Sequence, residues 1–89
     1  MKTKYIDELA QTLVSLENKK VAIAFLKNIL TPSELEEIAT RLQIAKLLNE
    51  GVAQRDVAKK LNVSIGTVSR GSRELKYGES GFKQVLNDK

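Results

Sequence analysis

Residues Ser64 to Arg70 read SIGTVSR, and what this stretch can do chemically is hydrogen-bond: three hydroxyls, a glycine and a guanidinium fall within seven positions. A helix that only packs uses Ala, Leu, Glu and Lys, because Ser, Thr and Gly each cost helix stability. Short polar side chains therefore point to a surface that must approach something closely. Catalysis is poorly served, since the chain contains no His and no Cys and so lacks the usual nucleophile–base pairs and zinc-ligand sets. Glu34, Glu36 and Glu37 look like paired carboxylates, yet acids in the first turn of a helix are accounted for by its dipole. No catalytic residue, metal site or resident cofactor is expected, and an enzyme is not the reading.

The elements that carry these residues should all be helices. One Pro and five Gly punctuate the chain, no repeat or low-complexity segment appears, and strand-like alternation is nowhere sustained. Ile6, Leu9, Leu13 and Leu16 recur at three and four residues, marking a first helix that ends near ENKK; Val21, Phe25, Ile29 and Leu30 mark a second. LTPSELEEIA then starts a third, with Thr31 as N-cap, Pro32 at the first helical position and Glu34 completing a capping box. It runs through Leu35, Ile38, Leu42, Ala45 and Leu48 to a stop at Gly51. A short helix from about Ala53 to Leu61, a turn at Asn62 and Val63, and a helix from Ser64 toward Tyr77 follow. Gly78 closes the latter, and Phe82, Val85 and Leu86 support a last helix from about Ser80 to Asn87. The fold class is all-α, a single domain over 1–89 of about six helices: dimerisation helices in 1–50, a helix-turn-helix in 53–77 and a C-terminal helix in 78–89.

Within 53–77 the spacing is that of a helix-turn-helix. Ala58, four residues after Gln54, is small where two crossing helices approach; Leu61 and Val63 bracket the turn, and Val57 and Val68 complete a small core. Asn62 takes the turn position that needs positive φ, where Asn is the next most tolerant residue after Gly. The second helix then turns Ser64, Ile65, Gly66, Thr67, Ser69 and Arg70 outward. Short side chains let its N-terminus enter a DNA major groove, where hydroxyls meet base edges or phosphates and Ile65 meets a thymine methyl. Arg55, Lys59 and Lys60 flank the groove to meet phosphates, and Gln54 can donate through its amide. The lysines also fit a plainly solvated helix face.

Charge location supports a polyanionic partner. Residues 1–50 carry seven Lys/Arg and seven Asp/Glu, whereas residues 51–89 carry eight against four, so the formal excess of +4 lies with the helix-turn-helix. Eighty-nine residues make a marginal core alone, and the first two helices show wide apolar faces, so two chains sharing one core are expected. The alternative is an ordinary bundle core. No segment approaches the roughly 20 apolar residues of a membrane span, and the N-terminal MKTKYIDELAQ has no apolar run of a signal sequence, so a cytoplasmic protein is expected. The rival to a DNA-binding regulator is a protein–protein adaptor using the same helix pair, which would bind duplex weakly and without salt dependence.

LTPSELEEIATRLQIAKLLNEG followed by QRDVAKKLNVSIGTVSRGSRELK resembles the Trp repressor family: the threonine–proline start, the TR of the third helix and the SRGS after the recognition turn all agree. LVSLENKKVAIAFLKNIL and LKYGESGF look more like the Trp-repressor-related subgroup. The resemblance implies an intertwined helical homodimer that represses transcription at a palindromic operator on double-stranded DNA. It also implies an effector site for an amino acid such as L-tryptophan, with Arg41 and Arg70 sandwiching an indole ring and Thr31 and Gly71 at positions lining the pocket. Two guanidinium planes suit that task physically, although Arg41 and Arg70 can equally pair with acids such as Glu37 or Glu74. Glu74 stands where tryptophan-responsive members have a Ser near the ligand's amino group; it can pair with an ammonium or neutralise Arg70. Asn28 replaces an apolar pocket residue, and the loop at GVAQR is one residue shorter.

Overall fold

The structure, a computed structural model, describes residues 2–87. Six helices follow one another, α1 (Thr3–Val14), α2 (Lys19–Ile29), α3 (Pro32–Asn49), α4 (Gln54–Leu61), α5 (Ile65–Tyr77) and α6 (Gly81–Asn87), with no strand among the described residues. The architecture is all-α, as the periodicity implies.

Helix boundaries follow local hydrogen-bond chemistry. Asn18 caps α2, its Oδ1 accepting from the Val21 N–H at 2.9 Å. Leu30, read from sequence as helical, is extended at φ −115° and ψ 146°. The chain must leave the helical region there, because Thr31 precedes Pro32 and serves as the next cap. At the start of α3 the capping box closes in both directions: the Glu34 N–H donates to Thr31 Oγ1 at 3.2 Å and the Thr31 N–H donates to Glu34 Oε1 at 2.8 Å.

α3 and α4 end in the same way. Gly51 has φ 92°; its N–H donates to the Leu48 carbonyl at 3.0 Å while the Val52 N–H donates to the Leu47 carbonyl at 3.1 Å. Asn62, at φ 57° and ψ 48°, repeats the arrangement, its N–H reaching the Lys59 carbonyl at 3.4 Å and the Val63 N–H reaching the Ala58 carbonyl at 3.0 Å. Both are left-handed closures in which the residue just past the turn is apolar and folds back on its helix. Gly78, by contrast, ends α5 in an extended conformation. A Cβ there would lie 2.6 Å from the Glu74 carbonyl oxygen, so only glycine fits.

The chain divides into two compact units, one up to Leu35 and one from Glu36 onward. In the first, none of the described residues is buried, and Tyr5, Ile6, Leu9, Leu13, Val21, Ile23 and Ile29 are exposed. The second has a core: Ile44 from α3, Val57 from α4 and Val68 from α5 are fully buried, with Leu47, Leu48, Val52, Ala58, Leu61 and Val63 packed around them. Both residues that follow the left-handed turns, Val52 and Val63, thus join that core. The hydrophobic effect and the two helix closures act on the same side chains.

Candidate nucleic-acid interface

α4 and α5 form the candidate site, and the small core beneath them sets their relation. Val57 and Val68, one from each helix, have no exposed surface, while Ala58, Leu61 and Val63 close around the Asn62 turn. Gly71 brings α5 close to α3: a Cβ there would approach Ile44 Cγ2 to 2.7 Å, well inside ordinary contact. α5 is therefore held from two sides, by α4 near its start and by α3 at its middle.

The first turn of α5 is ordered by its own hydroxyls. Ser64 caps the helix, its Oγ accepting from the Thr67 N–H at 3.1 Å, and the hydroxyls of Ser64 and Thr67 lie 2.9 Å apart in a mutual hydrogen bond. Arg70 reaches back along the helix, with Nη2 3.5 Å from Thr67 Oγ1. Ser64, Ile65, Gly66 and Arg70 are exposed and Thr67 is half-buried; Ile65 keeps 53% of its surface open. Gly66 stands in the clear, because an added Cβ would meet nothing nearer than Ser64 Oγ at 3.8 Å.

Ser69 lies differently from its sequence reading as an outward residue. It is half-buried, and its hydroxyl donates to Gln54 Oε1 at 2.9 Å, spanning 15 positions to join α5 to the start of α4. Helical position alone placed Ser69 on the outer face; the crossing of α4 brings Gln54 over it. No local signal reveals such a bond, since its partners are far apart in the chain.

Arg55, Lys59 and Lys60 are exposed along α4. Among the described residues none of them joins an ion pair, so their charges are free for an external anion. α4 also begins without a side-chain cap, Ala53 standing at its N-cap position.

The residues assigned by resemblance to an effector are less assembled. Arg41 donates from Nη2 to Glu37 Oε2 at 3.3 Å on the open surface of α3, both side chains more than 60% exposed (67% and 64%); pairs of this kind are worth little. Arg70 turns to Thr67 and Glu74 is exposed. No side-chain hydrogen bond links Arg41, Arg70 and Glu74 to one another among the described residues. Gly71 is accounted for by Ile44, and Thr31, in the first unit, by the cap of α3.

Among the described residues no helix is long and apolar enough to cross a membrane, and no group of three His, Cys, Asp or Glu side chains is placed to hold a metal ion. An all-helical chain with a left-handed Asn turn between α4 and α5, exposed cations on one helix and short polar side chains at the start of the other defines the class of helix-turn-helix proteins. Residues 4–89 match the family model described as Trp repressor protein, and the chain belongs to the Trp repressor family. The family is one of DNA-binding transcriptional regulators rather than enzymes.

The chain is 28% identical over 87 residues to the uncharacterized protein YerC of Bacillus subtilis (strain 168), spanning 98% of this chain and 84% of that one. It is 35% identical over 81 residues to a Trp operon repressor homolog of Chlamydia trachomatis serovar L2 (strain ATCC VR-902B / DSM 19102 / 434/Bu), covering 85% and 86% of the two chains. The crystal structure of a TrpR like protein from Eubacterium eligens ATCC 27750 matches with a TM-score of 0.89 at 32% identity, over 97% of this chain and 89% of that one.

Proposed function

We propose that the chain is a sequence-specific repressor that binds a palindromic operator in the cytoplasm as a homodimer, each protomer placing α5 in a major groove. The observation that carries this reading is the α4–α5 face itself: Arg55, Lys59 and Lys60, exposed and in no ion pair among the described residues, beside a first turn whose side chains are short and whose Ile65 is open. In this reading Arg55 and Lys59, with Lys60, meet phosphates and fix register, while Ser64, Ile65, Gly66 and Thr67 approach base edges. A homodimer carries two such units to successive grooves, which makes the operator a palindrome.

An amino-acid effector such as L-tryptophan is the further part of the reading, with Thr31, Arg41, Arg70, Gly71 and Glu74 as its candidate contacts. A second version, a regulator that binds DNA without that effector, fits an Arg41 that lies on the open surface of α3 and makes no hydrogen bond to Arg70 or Glu74 among the described residues.

The test is selection of binding sites from a random duplex library, in parallel with and without L-tryptophan. Enrichment of one palindrome in both arms supports the ligand-independent repressor; enrichment only with tryptophan supports the effector site, and Arg41→Ala should then abolish the response. No enrichment in either arm overturns DNA binding in favour of the adaptor. On a selected duplex, Arg55→Ala should lower affinity uniformly across sequences and flatten the salt dependence by about one counterion for each protomer, two for the dimer.

A further inference from the structure

We infer that Ser69 is a positioning residue for Gln54: its hydroxyl holds the Gln54 side chain so that the amide nitrogen is presented outward, ready to donate to a DNA phosphate. The inference rests on the reading of α4 and α5 as a DNA-binding pair and deepens it, because it moves Ser69 from a contact with the duplex to a support behind one.

A serine inside a helix ordinarily returns its hydroxyl to the carbonyl one turn back. Ser69 instead donates across to Gln54 Oε1 at 2.9 Å. Gln54 is the first residue of α4, next to Arg55 and at an end with no side-chain cap. With Oε1 turned to Ser69, the amide nitrogen is the other branch of the terminal carbon. That nitrogen has no acceptor among the described residues, and it is not sealed from solvent, since no buried side-chain nitrogen or oxygen among them lacks a partner. An amide donor is therefore available at the start of α4, on the residue next to Arg55.

The physical gain is pre-organisation. A free glutamine side chain is rich in rotamers, and immobilising it on binding costs affinity. Held by Ser69, Gln54 has given up that freedom before the duplex arrives.

The experiment measures affinity for a pool of random-sequence duplexes across a range of salt concentrations, since a phosphate contact is independent of sequence, together with thermal unfolding of each variant. Ser69→Ala should weaken binding about fivefold for each protomer that engages the duplex, the factor carried by one net hydrogen bond. Ser69→Thr should restore it, and Ser69→Ala should cause no further loss in a Gln54→Ala background. Gln54→Glu keeps an acceptor for Ser69 and hence the bond between the helices, but replaces the donor with a charge that repels phosphates; it should unfold at no lower a temperature than the native chain while losing affinity for every duplex. Native affinity in Ser69→Ala or Gln54→Glu, or an equal loss from Ser69→Ala with and without Gln54, overturns the inference while leaving the DNA-binding reading intact. Failure of the unsubstituted chain to retain any duplex overturns both.

Discussion

Gly66 and Gly71 sit five positions apart on α5 and answer to different constraints. At Gly71 a methyl group would approach Ile44 Cγ2 to 2.7 Å, whereas at Gly66 it would make only an ordinary contact with Ser64 Oγ at 3.8 Å. Gly71→Ala should therefore destabilise the chain by about 1–3 kcal/mol through overpacking, more than the helix propensity it gains. Gly66→Ala should stabilise it by up to about 1 kcal/mol, because the fold derives nothing from the missing side chain. If α5 meets DNA at its first turn, the same Gly66→Ala change should weaken duplex binding. Thermal unfolding and duplex titration of the two variants check this: a Gly66→Ala protein that is both more stable and equally tight on its selected operator would remove Gly66 from the interface.

At the scale of the element, the turn between α4 and α5 is a helix closure that happens to aim the next helix. Asn62 holds the left-handed conformation that lets the Val63 N–H reach the Ala58 carbonyl, and Val63 then lands on the core beside Val57. Backbone shape and burial are set by one residue. Asn62→Gly should be tolerated, since glycine takes this conformation freely. Asn62→Ala should cost about 1–2 kcal/mol, because an ordinary side chain is strained there. Equal unfolding midpoints for the two variants would mean that the turn relaxes to another shape.

The whole molecule is unevenly provisioned with core. From Glu36 onward three helices bury Ile44, Val57 and Val68, but up to Leu35 none of the described residues is buried, and Ile6, Leu9, Leu13, Val21 and Ile29 remain open. Apolar surface left wet on this scale is a reason for two chains to associate. The unfolding midpoint should then rise with protein concentration, as it does when folding and assembly are linked. Leu9→Glu should lower it and shift sedimentation to the monomer, through loss of about 2 kcal/mol of side-chain burial per protomer. A native chain that sediments as a monomer, with a midpoint independent of concentration, would rule the shared core out.

What the sequence by itself determined is whatever depends on neighbours in the chain. Apolar spacing gave away six helices; Thr31, Pro32 and Glu34 marked the start of α3, Gly51 its end and Asn62 the turn, all because caps and closures are made within a few residues. The inward set Val57, Ala58, Leu61, Val63 and Val68 was legible for the same reason, since a helical repeat sorts residues onto faces. The cap at Asn18 was equally local and went unread, although its residue type is a standard signal. Only the tertiary structure decided that Ser69 turns to Gln54 and that Gly71 admits Ile44. Those contacts depend on the angle and depth at which helices cross, and these follow from how all the core side chains pack at once, which no single stretch of chain encodes.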